Sequence, residues 1–196
     1  ADRLHAYDVT WHGDVASLPD LPIYLVANEF FDALPVRQYI RQEGDLFSEH
    51  QVGVVDGALK FGLTPPVQTP RLAHRLDDTA PGDTIEIGAA GQSIAGFIGQ
   101  RIASLGGMAL IIDYGGWRSK GDTFQAIAPH HKVSPLADPG NAHLTAHVDS
   151  EGLAAAAPAP CQVPAPVAQG ALPPRPGTTQ RARPLARQLG GEPLAR

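Results

Sequence analysis

The 196-residue chain carries 15 Lys and Arg against 20 Asp and Glu, a formal net charge of −5, and 43% of its residues are hydrophobic. It is long enough for one domain with a sizeable core. Its acidic balance argues against nucleic acid as a general partner, and its apolar runs are too short to span a bilayer as helices. Cys161 is the only cysteine, so an intramolecular disulfide is excluded and a reducing compartment is expected.

The charge is unevenly spread. Residues 158–196 hold nine of the 19 Pro, five Arg and a single acid, Glu192, about +4 in all, which leaves the preceding part near −9. The opening Ala1-Asp2-Arg3-Leu4 reads as the end of a helix, so a longer protein is expected. Val9 to His12 predicts a short strand punctuated by Gly13-Asp14, and the turn-rich Ser17 to Pro22 leads to a second. Ile23-Tyr24-Leu25-Val26-Ala27 is a continuous apolar run between Pro22 and Asn28, the pattern of a strand buried on both faces in a parallel sheet.

Val36 to Arg41 alternates as a half-exposed strand does. Gln51–Val55 and Ala58–Leu63, separated by Asp56-Gly57, predict a hairpin. Residues 36–82 thus form a small antiparallel excursion, returned by four prolines (65, 66, 70 and 81). Asp83 to Ile87 is extended. Ile94, Phe97, Ile98, Ile102 and Leu105 recur at helical spacing, and Gly106-Gly107 stops that helix. Met108 to Ile112 is a second buried strand, ending in Asp113-Tyr114. Helix, glycine turn, apolar strand and polar end make half of a doubly wound α/β unit.

Further on, Thr123 to Ile127 predicts a strand, residues 129–131 and 138–141 are loops, and Asp149 can N-cap an Ala-rich helix from Ser150 to Ala157. Beyond Pro158 the composition predicts an irregular tail.

In open α/β sheets ligands sit outside the carboxyl ends of the strands. Asn28, Glu29 and Asp32 follow the first apolar strand, and Asp113-Tyr114 follows the second. If the strands are neighbours, about 4.8 Å apart, the two polar clusters share one crevice. Asn28 also suits a helix N-cap, and Glu29 and Asp32 suit the positive end of a helix dipole; local pattern leaves both readings open. Gly13-Asp14-Val15 is either an ordinary turn or an acceptor and N–H pair facing an adenine edge. His143 and His147 are four apart, but Pro139-Gly140 and Thr145 disfavour a helix there, so no metal site is expected. No phosphate loop, dinucleotide fingerprint or nucleophile elbow is present.

The order Trp11-His12-Gly13-Asp14-Val15, Leu18-Pro19 and Asn28-Glu29-Phe30-Phe31-Asp32-Ala33-Leu34-Pro35 resembles the MidA-like family of class I S-adenosylmethionine-dependent methyltransferases, which includes an arginine methyltransferase of mitochondrial complex I assembly. The resemblance continues through Val54-Val55-Asp56-Gly57, Ala109 to Gly115, Gly121 to Ala126, and Pro135 to Asp149, and covers roughly residues 1–157. It implies a Rossmann-like sheet, here incomplete, with the antiparallel excursion on the substrate side and S-adenosylmethionine as cofactor. The family's glycine-rich cofactor loop is not among these residues, and Gly88-Ala89 stands where the family tends to have Ser-Pro.

By that resemblance Glu29 and then Asp32 are the catalytic candidates, holding a substrate guanidinium. Asp14, Val15 and Asn28 are placed with the cofactor, and Asp113, Tyr114 and Asp149 line the substrate pocket. The implied partner is an arginine-bearing protein, such as a complex I-type subunit, with a homodimer among the assemblies allowed. The implied location is the bacterial cytoplasm or, alternatively, the mitochondrial matrix. The rival expectation is a non-catalytic fragment or assembly factor that binds a partner without cofactor.

Overall fold

The computed structural model describes Leu4, residues 6–128 and residues 131–171. It divides into two compact units, Ala1–Pro164 and Ala165–Arg196. Of the second, the described part carries a short 3-10 turn at Gln169–Ala171; the rest of the expected irregular tail, from residue 172 on, lies outside the described residues.

In the first unit the elements run β1 (Ile23–Asn28), β2 (Arg37–Arg41), β3 (Leu46–Val55), β4 (Ala58–Leu63), β5 (Val67–Gln68), β6 (Thr84–Ile87), α1 (Ala89–Leu105), β7 (Gly107–Ile112), β8 (Gly115–Gly116), β9 (Gln125–Ala128), β10 (His131–Val133), β11 (His143–Thr145), β12 (Val148–Asp149) and α2 (Ser150–Ala156). The two apolar strands are neighbours: β1 and β7 pair in parallel, Ile23 opposite Gly107 through to Asn28 opposite Ile112. The chain between them returns through α1, which lies against both, as a parallel pair requires.

The antiparallel excursion is a sheet in the order β4-β3-β2-β6, with β5 paired to β3. It reaches to Ile87, because Arg37–Ile40 of β2 takes β6 as its second neighbour. The Asp56-Gly57 turn forms as the sequence predicts, with φ of 53° and 75°, the two positive angles that match a two-residue turn to strand twist. Under this sheet lies the larger core, Tyr39, Phe47, Leu72, Ile85 and Ile87. A second cluster of Phe31, Ala95 and Val148, joined by Ala27, Leu34, Leu153 and Ala156, sits between β1, α1 and α2.

Four expectations are corrected. The run Ile23–Ala27 is not buried on both faces: Tyr24 and Val26 are 80% and 71% exposed, beside exposed Met108 and Leu110 on β7. The described residues cover this pair with α1 on one side only. Val9–His12 is not a strand, since β1 pairs only with β7 among the described residues. The strand expected at Thr123–Ile127 begins two residues later, at Gln125, because the Thr123 N–H is taken by the Glu86 carboxylate. His131, expected in a loop, opens β10; residues 129 and 130 lie outside the described residues.

The glycines of α1 have a packing reason. Gly99 is buried where the chain leaving α2 crosses, and a Cβ there would stand 2.9 Å from Pro158 Cδ and 3.2 Å from Ala157 Cα. Alanine at 99 gains about 1 kcal/mol of helix propensity, but overpacking against a proline ring and backbone costs about 1–3 kcal/mol. Gly99→Ala is therefore expected to lower the melting temperature by roughly 2–4 °C. A thermal scan showing a gain would mean that α1 and the 157–158 segment are not in close contact.

Candidate functional site

The parallel register brings the two strand ends level. Asn28 closes β1 opposite Ile112, which closes β7, and the Glu29 N–H donates to the Ile112 carbonyl at 2.9 Å. Beyond this point the chain does not enter a helix: residues 29–36 form a turn. The helix-cap reading of Asn28 is therefore not realised, and Glu29 and Asp32 have no helix dipole to complement. Glu29 itself sits at φ 50°, a left-handed conformation that costs a non-glycine residue about 1–2 kcal/mol and marks positions that the surroundings hold in place.

What holds it is Asp113. Its Oδ2 accepts hydrogen bonds from three consecutive main-chain N–H groups, those of Phe30 at 3.2 Å, Phe31 at 2.9 Å and Asp32 at 3.2 Å. Its Oδ1 accepts from the Tyr114 N–H at 2.9 Å. Expected to meet substrate, Asp113 instead has both oxygens engaged by the backbone.

Asp32, by contrast, is only 5% exposed and its Oδ1 has no hydrogen-bond partner. Burial, with the Asp113 and Glu29 charges adding to it, pushes its carboxyl above the usual carboxylate range. Its main-chain carbonyl accepts from the Ala146 N–H at 3.0 Å, tying the turn to the segment before β12. The Tyr114 phenol is pushed up by its hydrogen bond to Glu29, so it stays neutral and a donor across the ordinary pH range. Tyr114 is half exposed and its carbonyl accepts from the Val148 N–H at 2.8 Å.

Asp149 follows Val148 and precedes α2, but makes no capping hydrogen bond. Its Oδ1 is buried without a partner, and burial pushes its carboxyl up. It shares with Phe31, Glu86, Gln92 and His147 a cavity of about 20 Å³, room for one water. The other candidates lie at the surface. Asp14 Oδ1 accepts from the Ala16 N–H at 2.8 Å and caps the 3-10 turn Val15–Ser17, whose first residue, Val15, is half-buried. Asn28 is exposed at the end of β1. His143 lies on a strand and, among the described residues, no cluster of His, Cys, Asp and Glu can hold a metal ion.

One residue behind the site escaped the sequence reading. Glu86 is 1% exposed, and its carboxylate accepts from Gln38 Nε2 at 2.9 Å, the Thr123 N–H at 3.1 Å, Ser119 Oγ at 3.3 Å and the Thr123 hydroxyl. Thr123 Oγ1 in turn accepts from the His147 N–H at 2.8 Å. The signal was available: an acid between Ile85 and Ile87, in a strand too apolar to leave it exposed.

The comparisons with known proteins place the chain in a family. The profile of a family described as "Putative S-adenosyl-L-methionine-dependent methyltransferase" matches residues 2–167. Among relatives, the chain is similar to the mitochondrial protein arginine methyltransferase NDUFAF7 of Xenopus tropicalis, 34% identical over 146 residues, covering 73% of this chain and 34% of that protein. The human protein of that name is 34% identical over 144 residues, covering 72% and 32%. The Drosophila melanogaster homologue is 35% identical over 149 residues, covering 71% and 33%. The chain thus spans about a third of the length of the curated relatives it matches. Its structure is similar to that of a COG1565 superfamily member and likely methyl transferase from Burkholderia thailandensis, bound to S-adenosyl-homocysteine, with TM-score 0.60 and 25% identity over 73% of this chain and 39% of that one.

Asp32 gives a prediction whose sign follows from its position. Its folded pKa lies above the ordinary 3.8, so the fold favours the protonated form and the ionised carboxylate costs stability at neutral pH. Asp32→Asn is expected to raise the melting temperature at pH 7, by roughly 2–4 °C for a cost of about 1 kcal/mol removed. The gain should fade as pH falls through the raised pKa toward 3.8. An unchanged or lower melting temperature at pH 7 would show that the carboxylate has a partner in the fold.

Proposed function

Because the chain belongs to this family of S-adenosyl-L-methionine-dependent methyltransferases, we propose that it provides the acceptor side of a site that methylates arginine on a protein. The observation that carries the reading is the buried Asp32 carboxylate, its Oδ1 without a partner, beside Glu29 at the ends of two parallel strands. A buried carboxylate without a partner is unfavourable unless a cation arrives to meet it. A guanidinium suits such a site, since its planar fork can face two carboxylates.

The cofactor side fits an adenosyl group in its donor and acceptor types. The exposed Asp14 has one carboxylate oxygen fixed by Ala16, next to the main chain of Val15, so an acceptor stands beside an N–H as an adenine edge requires. Asn28 adds a side-chain amide at the end of β1. When bound, S-adenosylmethionine would supply a sulfonium methyl as electrophile.

Guanidinium is a weak nucleophile because its charge is spread over three nitrogens. Glu29, its carboxylate oriented by the Tyr114 phenol, would pair with two of them, leaving the third to form the new N–C bond as the C–S bond breaks with its electron pair left on sulfur. Asp32 completes the negative wall, and a carboxylate takes the proton that the methylated nitrogen releases. This is positioning combined with electrostatic stabilisation. Asp113 acts one step back, through the backbone of 30–32, while Tyr114 and Asp149 border the acceptor. The arginine-bearing partner would be a subunit of a respiratory complex or a similar protein, met in a bacterial cytoplasm or a mitochondrial matrix. Similarity to mitochondrial protein arginine methyltransferases supports the arginine-bearing partner and the mitochondrial alternative.

The test is methylarginine formation on an arginine-bearing peptide by a longer protein that joins this chain to the cofactor side, followed by mass spectrometry with S-adenosylmethionine present. Glu29→Gln keeps the size and the hydrogen bonding of the side chain and is expected to lower turnover by roughly 100-fold or more. Unchanged turnover in Glu29→Gln would remove Glu29 from its role. Absence of methylarginine with a longer protein that joins this chain to the cofactor side, together with peptide binding that ignores the cofactor, would favour the rival reading of a non-catalytic binding protein.

A further inference from the structure

The end of the antiparallel sheet is built unlike the rest of it. From Gln51 to Leu63 every residue of the β3–β4 arm is exposed, so the arm extends past the core as a two-stranded ribbon, a form only marginally stable in water. Its two faces differ. The register sets Val52 opposite Phe61, Val54 opposite Leu59 and His50 opposite Leu63. One face is therefore an apolar ladder, with Val54 70% and Leu63 52% exposed. His50 lies against the Phe61 ring, centroids 4.6 Å apart. The other face carries Gln51, Gly53, Lys60 and Gly62.

β4 ends the sheet, with no strand on its outer side among the described residues. Monomeric proteins guard such an edge with proline, a bulge, several charges or a covering segment. Over Ala58–Leu63 this edge has only Lys60, which reaches back to Asp56 at 4.0 Å. A third strand is what the arm lacks.

We propose that this strand is β4 of a second copy of the chain, paired antiparallel about a two-fold axis normal to the sheet. Such an axis keeps each face on its own side, so only registers that set like-facing residues opposite one another are allowed. Centring the axis on Lys60 places two ammonium groups directly opposite, which is destabilising. Centring it on Phe61 sets Phe61 against Phe61, Leu59 against Leu63 and Lys60 against Gly62. That register separates the charges, continues the apolar ladder across the junction and gives the open N–H and C=O groups partners. Of the two registers that pair five of the six residues of β4, only this one is complementary.

Site-directed disulfide trapping tests both the partner and the register, in a Cys161→Ser background that removes the only native thiol. Directly opposed antiparallel residues have Cα atoms about 4.5–5.5 Å apart, within disulfide reach. Diagonal positions lie about 7–8 Å apart, out of reach. Phe61→Cys is expected to give a disulfide-linked dimer on mild oxidation, and Lys60→Cys to remain monomeric on the same gel. Without oxidant, the wild-type chain is expected to sediment as a dimer and Phe61→Asp as a monomer with unchanged circular dichroism. A wild-type chain that sediments as a monomer at every loading would overturn the proposal. So would trapping by Lys60→Cys and not by Phe61→Cys. A folded Phe61→Asp that remains dimeric would place the contact elsewhere, such as on the bare face of β1 and β7.

Discussion

The Asp113 carboxylate is the constraint on which the site depends. A turn leaving a parallel strand has three N–H groups with no strand or helix to receive them, and buried donors without partners are costly. Asp113 satisfies all three with one oxygen because β7 ends level with β1. Its position is in turn fixed by Tyr114, whose N–H binds the other oxygen. The consequence reaches the chemistry directly. With the main chain of 30–32 gathered around Oδ2, Glu29 is held at its positive φ, and Asp32 turns into the protein with its own Oδ1 unsatisfied. A satisfied, half-buried acid behind the turn thus leaves a second acid within it with one oxygen, Asp32 Oδ1, unsatisfied.

A second acid does the same for the opposite wall. Glu86 is surrounded by donors from Gln38, Ser119 and Thr123, and Thr123 passes the constraint on to the His147 N–H. Ser119 also accepts at its carbonyl from the buried Arg75 at 2.8 Å, whose guanidinium is paired with Asp78. The loop between β8 and β9 is therefore pinned at Ser119 and at Thr123 to the antiparallel sheet, and β12 with Asp149 follows from it. Buried charges with complete hydrogen bonding favour one arrangement over others that would leave them unpaired.

The sequence made the two strands, their polar ends, the helix between them and the Asp56-Gly57 hairpin legible, because each rests on a local signal: an apolar run, a helical spacing, a turn dipeptide. The parallel pairing of Ile23–Asn28 with Gly107–Ile112 was conditional on the strands being neighbours, and the register confirms it. Local pattern could not separate cap from catalyst at Asn28, Glu29 and Asp32, because a helix start and a strand-end turn use the same residue types. The fact that excludes the helix cap, three N–H groups gathered on a residue more than eighty positions away, is tertiary. Asp149 misled for the same reason: its sequence is that of a cap, yet its carboxylate lies in a cavity beside Gln92 and Glu86. The roles of Asp14, Val15 and Asn28 toward a cofactor rest on the family resemblance and the chemistry of their atoms.

Stability and chemistry are housed in different parts of the chain. The larger core lies in the antiparallel sheet and holds Phe47, Leu72 and Ile85 almost wholly out of water. The site stands instead on two parallel strands covered on one side, joined to a smaller cluster of Phe31, Ala95 and Val148. Phe31 belongs to that cluster and also to the turn that Asp113 gathers, so packing of α1 and α2 against it bears directly on where Glu29 and Asp32 point. Gly91 is buried beside it, with Phe31 only 3.3 Å from where a Cβ would stand, so the helix approaches the aromatic ring as closely as a residue without a side chain allows. The turn that carries Glu29 and Asp32 therefore takes its rigidity from helix packing on one side, and the segment that carries Asp149 from the Glu86 network on the other. The unsatisfied Oδ1 atoms of Asp32 and Asp149 can persist only because both supports hold them in place.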